Sequence, residues 1–398
     1  MKILQLNNCC TSSPGMLMGA ISKCLTEHDI ENKCLFTYGE SRYPNSVKYG
    51  NDAGVKLDAL ASRLSGRYGF VSAGLTRKLI HIVEEFEPDL VQMHVIHGHD
   101  LNMNTFFHYL AKQNIPVVYT FHDTWAFTGY CSNYDEVKCE KWKTECHSCP
   151  VYHDYSWFFD RSFKNHADKI NAIQGIPHIE IVTPSNWMKR QVEASRLNQL
   201  PVTVIPNGID TNVFKPKQTN IKQQLGIETK KMVLAVAMEL SESKGANDLI
   251  ALSKLLPDSY QLVLVGVPEE KNKLFPDQII CCPKTGSRDR LAEFYSAADV
   301  FLNPTHGDNF PTVNLESLAC GTPVVTYDVG GSPEMIDRET GIVVQPGNIE
   351  ELCIAVGEAD EMKNSSAAVC RKRAVELYDQ KVFGERYYTL YQKVLSEN

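Results

Sequence analysis

The chain has 398 residues, of which 43% are hydrophobic and 22% charged, and its formal net charge is −8. This length predicts two domains, and the composition argues against a disordered chain and against a transmembrane protein. The negative charge argues against a nucleic-acid-binding surface, because affinity for the phosphate backbone needs clustered Lys and Arg.

The first predicted element is a strand at Lys2–Leu6. Its apolar run is too short for a signal-peptide core, which predicts a cytoplasmic protein. Short β-branched runs then alternate with segments of helical period, a pattern typical of βαβ units and a parallel sheet buried on both faces. We predict further strands at Lys33–Thr37, Leu90–Met93, Val117–Phe121, Glu180–Val182 and Val202–Ile205, and helices at Met16–Glu27, Thr76–Phe86, Leu101–Ala111 and Asn186–Glu193.

The same alternation restarts in the second half of the chain. Here we predict strands at Met232–Ala237, Gln261–Val265, Val300–Leu302 and Pro323–Thr326, and helices at Asp248–Leu256, Asp289–Ala297 and Thr312–Ala319. The Pro/Asn/Gly cluster Ile205–Asp210 predicts the turn between the two windings. We therefore predict an α/β protein with two Rossmann-like, doubly wound domains, at residues 1–205 and 206–380, and a ligand site in an interdomain cleft.

The last predicted helix, Val382–Leu395, lies in residues 381–398 and carries aromatic residues at three- and four-residue spacings. It needs a large surface on which to bury that face. The helix could pack on its own domain or cross back to the first.

The segment Thr305–Gly321 follows a predicted strand and carries two carboxylates around a predicted helix start. Asp308 lies in the loop and Glu316 about one turn inside the helix, while Gly321 suits the C-terminal cap. Free N–H groups at a helix N-terminus bind phosphate. Considered as a bare acidic pair, Asp308 would be a helix cap and Glu316 a solvated residue. The candidate phosphate-binding residues here are Asn309, Phe310, Pro311, Thr312 and Val313.

This stretch resembles the nucleotide-sugar site of family 4 glycosyltransferases, whose pattern is an acidic residue, seven intervening residues, a Glu, and then a small residue, Cys, Gly, any residue and Pro. Pro206–Asp210 is similar to the family's interdomain signature, and Lys244-Gly245 to the end of its phosphate-binding loop. The resemblance implies the GT-B fold and retaining transfer from a nucleotide-sugar donor. It also implies that Glu316 binds the ribose hydroxyls and that Asp308 contacts the donor sugar.

The resemblance further implies that Lys244 neutralises the diphosphate and stabilises it as it leaves. The family usually has an Arg five residues earlier, where this chain has Glu239. Either Arg288 or Arg290 replaces that Arg, or Lys244 and the helix N-terminus suffice. The chain has no Asp-x-Asp pair of the type that holds a catalytic divalent ion, so we expect no cofactor in the reaction.

The first domain supplies candidate residues at the ends of its strands. Gly15 lies in the turn after the first strand, where it either allows a ligand close to the backbone, as the resemblance favours, or simply forms a βα turn. His122 and Asp123 follow Val117–Phe121. The resemblance places His122 beside the donor sugar, and Asp123 would hold it or help deprotonate an acceptor hydroxyl.

Three further histidines, His94, His97 and His99, follow the strand Leu90–Met93. Their spacing invites a metal interpretation, but hydrogen bonds to an acceptor or its phosphate are the better prediction. A purely structural role is the alternative.

Four cysteines fall in an aromatic-rich insertion at about residues 123–160. Four soft ligands so close together fit a tetrahedral structural zinc site, and ordinary reduced thiols are the alternative. The insertion resembles that of a subgroup of bacterial capsule and exopolysaccharide glycosyltransferases of the colanic-acid type. The four residues are Cys131, Cys139, Cys146 and Cys149.

The resemblance therefore implies a retaining glycosyltransferase of surface polysaccharide biosynthesis, acting on a saccharide or a polyprenyl-diphosphate-linked saccharide. A nucleotide-sugar 2-epimerase of the same fold and a non-catalytic nucleotide-binding assembly protein are the alternatives. A basic helix face could bring the protein to the inner face of the cytoplasmic membrane, unless those residues are merely solvated. They are Arg63, Arg67, Arg77 and Lys78.

Overall fold

The computed structural model describes residues 1–236 and 241–397, apart from the side chains of residues 135 and 136. The chain divides into two compact units. The first is Met1–Pro206 together with the C-terminal segment from Phe383, and the second is Asn207–Val382. The division falls one residue after the predicted domain boundary.

The first unit is built on one seven-stranded sheet. Its strands are β1 (Lys2–Leu6), β2 (Glu31–Phe36), β3 (Ser46–Lys48), β4 (Leu90–Met93), β5 (Val117–Thr120), β6 (Ile179–Thr183) and β7 (Val202–Val204). Their order is β3-β2-β1-β4-β5-β6-β7, and all neighbours run parallel. The helices are α1 (Ser13–Glu27), α2 (Asp52–Ser65), α3 (Ala73–Phe86), α4 (Met103–Lys112), α5 (Tyr134–Val137), α6 (Ser162–Gln174) and α7 (Asn186–Ala194).

The second unit repeats this plan with six parallel strands. They are β8 (Lys231–Val236), β9 (Tyr260–Val265), β10 (Ile279–Cys282), β11 (Val300–Asn303), β12 (Val324–Tyr327) and β13 (Gly341–Val344), in the order β10-β9-β8-β11-β12-β13. The helices are α8 (Ile221–Gln224), α9 (Ala246–Ser253), α10 (Arg288–Ala297), α11 (Thr312–Ala319) and α12 (Ile349–Tyr378). The predicted α/β fold with two Rossmann-like units is therefore confirmed.

Successive side chains of a strand point to opposite faces of the sheet, so each sheet has an apolar core on both faces. In β8, Met232 and Leu234 enter one apolar cluster, while Val233 and Ala235 enter the cluster on the opposite face. A strand covered on both faces needs apolar residues at every position. This requirement explains why the strands appear in the sequence as short continuous apolar runs.

The last helix, α13 (Gln380–Ser396), packs on the first unit. The Tyr387 hydroxyl lies 2.8 Å from Thr120 Oγ1, and the Tyr391 hydroxyl donates to Gln92 Oε1 at 3.0 Å. Of the two arrangements that the sequence allows, the helix adopts the return to the first unit. Its apolar face joins a cluster with Ile3, Leu17, Ile21, Leu90, Val118 and Val182. Within the described part of the chain, no helix combines the length and apolar character needed to span a bilayer.

Candidate functional site

Two loops come together at the switch point of the second sheet, where the strand order reverses between β8 and β11. Ligands of open α/β sheets bind outside the carboxyl ends of the strands at such a point. Lys244 lies on the connection after β8, and Asp308 lies on the loop after β11. The Lys244 Nζ is 3.0 Å from Asp308 Oδ2, so the two residues form an ion pair.

The Lys244 ammonium also binds the backbone of the second loop. It donates to the Gly307 carbonyl at 3.1 Å and lies 3.5 Å from Thr305 Oγ1. A lysine ammonium has three N–H donors, and the contacts with Asp308, Gly307 and Thr305 engage all three. A diphosphate bound here would therefore share Lys244 with the loop.

Two glycines allow this loop to pack against its neighbours. Gly245 has φ +80°, and a Cβ there would lie 2.3 Å from the Pro304 carbonyl oxygen. Gly330 has φ +59°, and its Cβ would lie 1.8 Å from the Asp308 carbonyl oxygen. Backbone contacts this close exclude any side chain. Gly245 therefore has a packing role in addition to its place in the segment that resembles the family's phosphate-binding loop.

A second set of contacts fixes the start of the loop. His306 Nε2 lies 2.7 Å from Asp248 Oδ2, and the Tyr327 hydroxyl donates to the same oxygen at 2.8 Å. The His306 backbone N–H donates to the Ser243 carbonyl at 2.9 Å. The loop is thus held by α9 and β12 before it reaches Asp308.

The start of α11 offers fewer free amides than the sequence suggests. The Phe310 N–H donates to Asp308 Oδ1 at 3.3 Å, and Pro311 has no N–H. In the described structure no side chain caps α11, so Thr312 and Val313 are the candidate phosphate donors. Asp308 turns the loop but does not cap the helix, and Asn309 is buried beside it.

Glu316 is buried inside the unit, with only 8% of its surface exposed. The alternative of a solvated helix residue is therefore wrong. Its Oε2 accepts a hydrogen bond of 2.9 Å from the Tyr295 hydroxyl on α10. Burial raises the pKa of Glu316 to about 7, and the Tyr295 hydrogen bond and the Arg288 charge partly offset that rise.

The two arginines proposed as substitutes for the family's Arg differ in their surroundings. Arg290 pairs with Glu293 and also bonds Gln224. The Arg288 guanidinium lies 5.1 Å from the centroid of the Phe214 ring and is near enough to Glu316 to lower its pKa. Arg288 is therefore the better placed of the two. Glu239 lies outside the described residues.

In the first unit, histidines from two neighbouring strand ends meet. His94 follows β4, His122 lies just beyond β5, and His94 Nδ1 is 3.0 Å from His122 Nε2. Burial lowers the pKa of His94 well below its ordinary value and that of His122 to about 4. Both imidazoles are therefore neutral at pH 7, and one of them donates an N–H···N hydrogen bond to the other.

Asp123 bonds a different histidine from the one that the sequence suggests. Its Oδ2 lies 2.7 Å from His97 Nε2, and its Oδ1 accepts the Trp125 N–H at 2.9 Å. Burial raises the pKa of Asp123, but the charge and hydrogen bond of His97 outweigh it and hold the pKa below the ordinary value. Asp123 is therefore an anion. His99 instead packs edge to face against Tyr68, with ring centroids 4.9 Å apart.

Gly15 lies where α1 meets the chain after β1. A Cβ there would be 2.3 Å from the Cys9 carbonyl oxygen, and the Gly15 N–H donates to the helix cap, Ser12 Oγ, at 3.2 Å. Backbone packing in a βα turn thus accounts for this glycine. Its contact with a donor stays a prediction.

The four basic residues proposed to face a membrane do not share one helix face. Arg63 lies in α2, but Gly66 ends that helix, and Arg67 beyond it pairs with Asp168. Arg77 and Lys78 belong to α3. The predicted basic face is therefore wrong, because a left-handed glycine separates its members.

Comparison with known proteins agrees with these two units. Residues 21–213 match the Glycosyltransferase Family 4 model, and residues 217–375 match Glycosyl transferases group 1. D-inositol 3-phosphate glycosyltransferase from Mycobacteroides abscessus is 29% identical over 193 residues, 45% of this chain and 43% of that protein. The Bacillus subtilis protein named "Putative teichuronic acid biosynthesis glycosyltransferase TuaC" is 25% identical over 209 residues, 52% of this chain and 51% of that protein. The chain thus spans about half the length of the curated relatives it matches.

A solved structure gives the fold over the full length. Anabaena HepE, crystallised in complex with UDP-glucose, has a TM-score of 0.68 and 17% identity, covering 99% of this chain and 100% of HepE. The two family models lie over the two Rossmann-like units and together cover most of the chain. The chain belongs to the family 4 glycosyltransferases of the GT-B fold.

Proposed function

We propose that the protein is a retaining glycosyltransferase that moves a sugar from a nucleotide-sugar to a saccharide or lipid-linked saccharide in surface polysaccharide biosynthesis. The observation that carries this proposal is the buried Glu316 carboxylate, oriented by Tyr295 one turn inside α11. The helix start and the Lys244–Asp308 pair belong to the same loop system. The relative HepE, whose fold this chain shares, binds UDP-glucose.

Glu316 is suited to the ribose of the donor. Tyr295 occupies Oε2 from one side, and the two ribose hydroxyls would donate to the remaining lone pairs of the carboxylate. Hydrogen bonds to a charged acceptor are stronger than neutral ones, and a buried site strengthens them further. This contact needs the ionised form of Glu316, whose pKa of about 7 ties donor binding to pH.

The diphosphate would lie against Lys244 and the uncapped amides of Thr312 and Val313. Its negative charge competes with Asp308 for the Lys244 ammonium. Donor binding therefore loosens the Lys244–Asp308 pair and frees the Asp308 carboxylate for hydroxyls of the sugar. As the glycosidic bond breaks, the same ammonium and amides stabilise the charge that grows on the departing diphosphate.

The first unit would serve the acceptor. Asp123 is an anion held by His97, and a carboxylate of this kind accepts the proton or the hydrogen bond of an incoming hydroxyl. The neutral His94–His122 pair would place a hydrogen-bond donor beside the donor sugar, where the resemblance puts His122, without adding charge. Attack from the face that the diphosphate leaves gives a product with the donor's anomeric configuration.

An exposed apolar surface supports a lipid-linked acceptor. Trp157 and Phe158 are 49% and 63% exposed. The backbone N–H of Trp157 donates to the Arg63 carbonyl of α2 at 2.9 Å. Aromatic and leucine side chains beside arginine suit the interface of an anionic bilayer. This aromatic surface consists of Leu57, Leu60, Leu64, Trp157, Phe158 and Phe159. The name of the relative TuaC refers to teichuronic acid biosynthesis.

The proposal is tested by incubating the full chain with a panel of α-linked nucleotide-sugars and saccharide acceptors and determining the linkage by NMR. An α-linked product is expected. A β-linked product from an α donor contradicts retention, and an epimer formed from donor alone identifies a 2-epimerase. Polymer synthesis that survives Glu316→Ala in the folded protein would identify a non-catalytic role for this site.

A further inference from the structure

The segment between β5 and α6, residues 121–161, is long but has little regular structure. It contains the single turn of α5 and three short 3-10 turns, at Trp125–Phe127, Lys141–Lys143 and Tyr152–Asp154. Loops of this length inside a compact domain need a source of order beyond backbone hydrogen bonds. Aromatic packing supplies part of it, since Trp125 and Trp142 are both buried.

Four thiols from separate parts of this segment line one cavity. They are Cys131, Cys139, Cys146 and Cys149, and Tyr134 and Trp142 are among the other residues of its wall. We propose that these four cysteines form a tetrahedral zinc site that holds the insertion in place.

One backbone N–H is directed at a sulfur of this group. The Gly129 N–H donates to Cys146 Sγ at 3.2 Å. Such N–H···S bonds orient ligating sulfurs and stabilise their negative charge. Asp160 accepts the Cys149 N–H at 2.7 Å and so fixes the Cys-x2-Cys turn.

A buried cation gives the second, independent observation. Lys169 on α6 is fully buried, donates to the Trp125 carbonyl and lies 3.9 Å from the centroid of the Trp125 ring. Among the described residues it forms no ion pair with a carboxylate, and Cys146, Cys131 and Asp123 are all near enough to act on its charge. Buried charges are normally paired. Zinc with four thiolates would carry two net negative charges, of which this ammonium would offset one.

Zinc binding would have to draw the four sulfurs closer together. In the described structure, the group whose ligand atoms lie within 4.8 Å of one another is Cys24, His28 and Glu385, and the four cysteines do not form such a group. Each of the four is only partly buried, and all four line the same cavity. The other group has a simpler explanation, because Glu385 Oε1 already bonds His28 at 2.8 Å and Cys24 at 3.6 Å.

A zinc ion here would position Asp123. Thr124, the next residue, donates its N–H to the Ser132 carbonyl at 2.9 Å, and Thr128 Oγ1 donates to the Cys131 carbonyl at 2.7 Å. The segment that carries Cys131 is therefore bonded to the segment that carries Asp123. The zinc site is thus a structural clamp behind the first unit's polar residues, and it takes no part in the reaction.

The test uses the full chain, purified from cells supplied with zinc, with metal content measured by inductively coupled plasma mass spectrometry. One zinc per chain is expected, and Co²⁺ exchanged for zinc is expected to give the visible bands and thiolate charge-transfer absorption of a tetrahedral tetrathiolate site. Wild-type protein that takes up Co²⁺ without thiolate charge transfer, or that holds no zinc, overturns the proposal. Because this measurement uses the unaltered chain, it does not depend on whether variants fold.

Variants then assign the ligands. Cys149→Ser is expected to abolish the charge-transfer absorption, whereas Cys24→Ala, which breaks the other candidate group, and Cys353→Ser in the second unit are expected to retain it. A spectrum that Cys24→Ala removes and Cys149→Ser leaves intact overturns the assignment. Chelation of wild type is expected to lower Tm and to open residues 123–160 to proteolysis, and an unchanged digestion pattern contradicts the clamp.

Discussion

The Tyr295 hydroxyl donates a 2.9 Å hydrogen bond to Oε2 of the buried Glu316. The two residues lie on successive helices of the second unit, α10 and α11. This bond favours the ionised carboxylate, while burial favours the protonated one, and the resulting pKa is about 7. Glu316 therefore changes protonation near neutral pH. We expect both nucleotide affinity and stability to depend on pH for this reason.

Nucleotide affinity is expected to increase with pH. Only ionised Glu316 accepts both ribose hydroxyls, so the association constant of a nucleoside diphosphate should rise about tenfold between pH 6 and pH 8 and then level off. Isothermal titration calorimetry over this range measures it. In Glu316→Gln the rise should disappear, and it should persist in the control Glu339→Gln, an exposed residue. Equal slopes in wild type and Glu316→Gln would contradict the prediction.

The same linkage predicts an opposite trend for the free protein. The folded-state pKa of Glu316 is raised from 4.5 to about 7. Its contribution to stability is therefore greatest below pH 4.5 and is lost as pH rises to about 7. The unfolding free energy of wild type, relative to that of Glu316→Gln, should therefore be highest below pH 4.5 and should fall as the pH rises to about 7.

Removing the Tyr295 hydroxyl is expected to weaken nucleotide binding and to shift its pH profile. Tyr295→Phe deletes a hydrogen bond worth about 0.5–1.5 kcal/mol, so affinity at neutral pH should fall roughly 2- to 12-fold. The midpoint of the profile should also move to higher pH, because the Tyr295 hydrogen bond no longer offsets the rise that burial causes in the pKa of Glu316. Tyr260→Phe is the control, since its hydroxyl bonds Asp360 at 3.1 Å in the same unit. An unchanged midpoint in Tyr295→Phe argues against the assigned role.

Replacing Lys244 is expected to act mainly on turnover. Lys244→Met removes an ammonium that stabilises the departing diphosphate, so kcat should fall by roughly 10²–10³. Steady-state assays of Lys244→Met and of the exposed control Lys254→Met measure this loss. If Lys244 only braces the loop through Asp308 and Gly307, Tm will fall while kcat per folded molecule stays near that of wild type.

Substitution of Gly330 is expected to displace the Asp308 loop. In Gly330→Ala a Cβ would lie 1.8 Å from the Asp308 carbonyl oxygen, at a backbone φ of +59°. The free energy of unfolding should drop by about 2 kcal/mol or more, and nucleotide affinity should fall with it. Gly226→Ala is the matched control, because Gly226 has φ +66° but open space around it, and it should lose only about 1 kcal/mol. Urea unfolding compares the two, and equal losses would contradict the packing argument.

The aromatic surface is expected to bind anionic bilayers. Replacing both Trp157 and Phe158 by Ser should weaken binding to vesicles containing phosphatidylglycerol by roughly tenfold or more, since both side chains would lose their burial in the interface. Co-sedimentation measures this binding. Leu274→Ser, at a residue 68% exposed in the second unit, is the control. Equal binding by the double variant and wild type would remove the support for a lipid-linked acceptor.

The sequence predicts elements well where hydrophobic period and end signals agree. The prediction matches β4 (Leu90–Met93) and α11 (Thr312–Ala319) at both ends. Among the longer helices it misses α6, the 30-residue α12 and α2, whose exposed leucines blur the helical stripe, and among the strands it misses β3, β10 and β13. These last two are four-residue strands at the edges of the sheet, where short partly exposed runs resemble loops.

The residues of the site likewise divide into those that the sequence predicts and those that it does not. Resemblance identifies Glu316, Asp308 and Lys244, but not their partners, because Tyr295 and Lys244 approach these carboxylates only through the packing of separate elements. The His94–His122 pair had a usable signal, since both residues follow strands that are neighbours in the sheet. Contact between Asp123 and His122 is one of the two roles that the sequence leaves open for Asp123. Consecutive side chains diverge at a strand end, however, and His97 from the neighbouring loop bonds Asp123 instead.

The most direct test of the proposed donor site compares a nucleoside diphosphate with its 2′,3′-dideoxy counterpart by calorimetry at pH 8, in wild type and in Glu316→Gln. Wild type should bind the dideoxy compound roughly 10- to 100-fold more weakly, because hydrogen bonds to a buried carboxylate are lost, and Glu316→Gln should show little difference between the two ligands. An equal loss of affinity in both proteins would show that Glu316 does not bind the ribose and would contradict the account of this site.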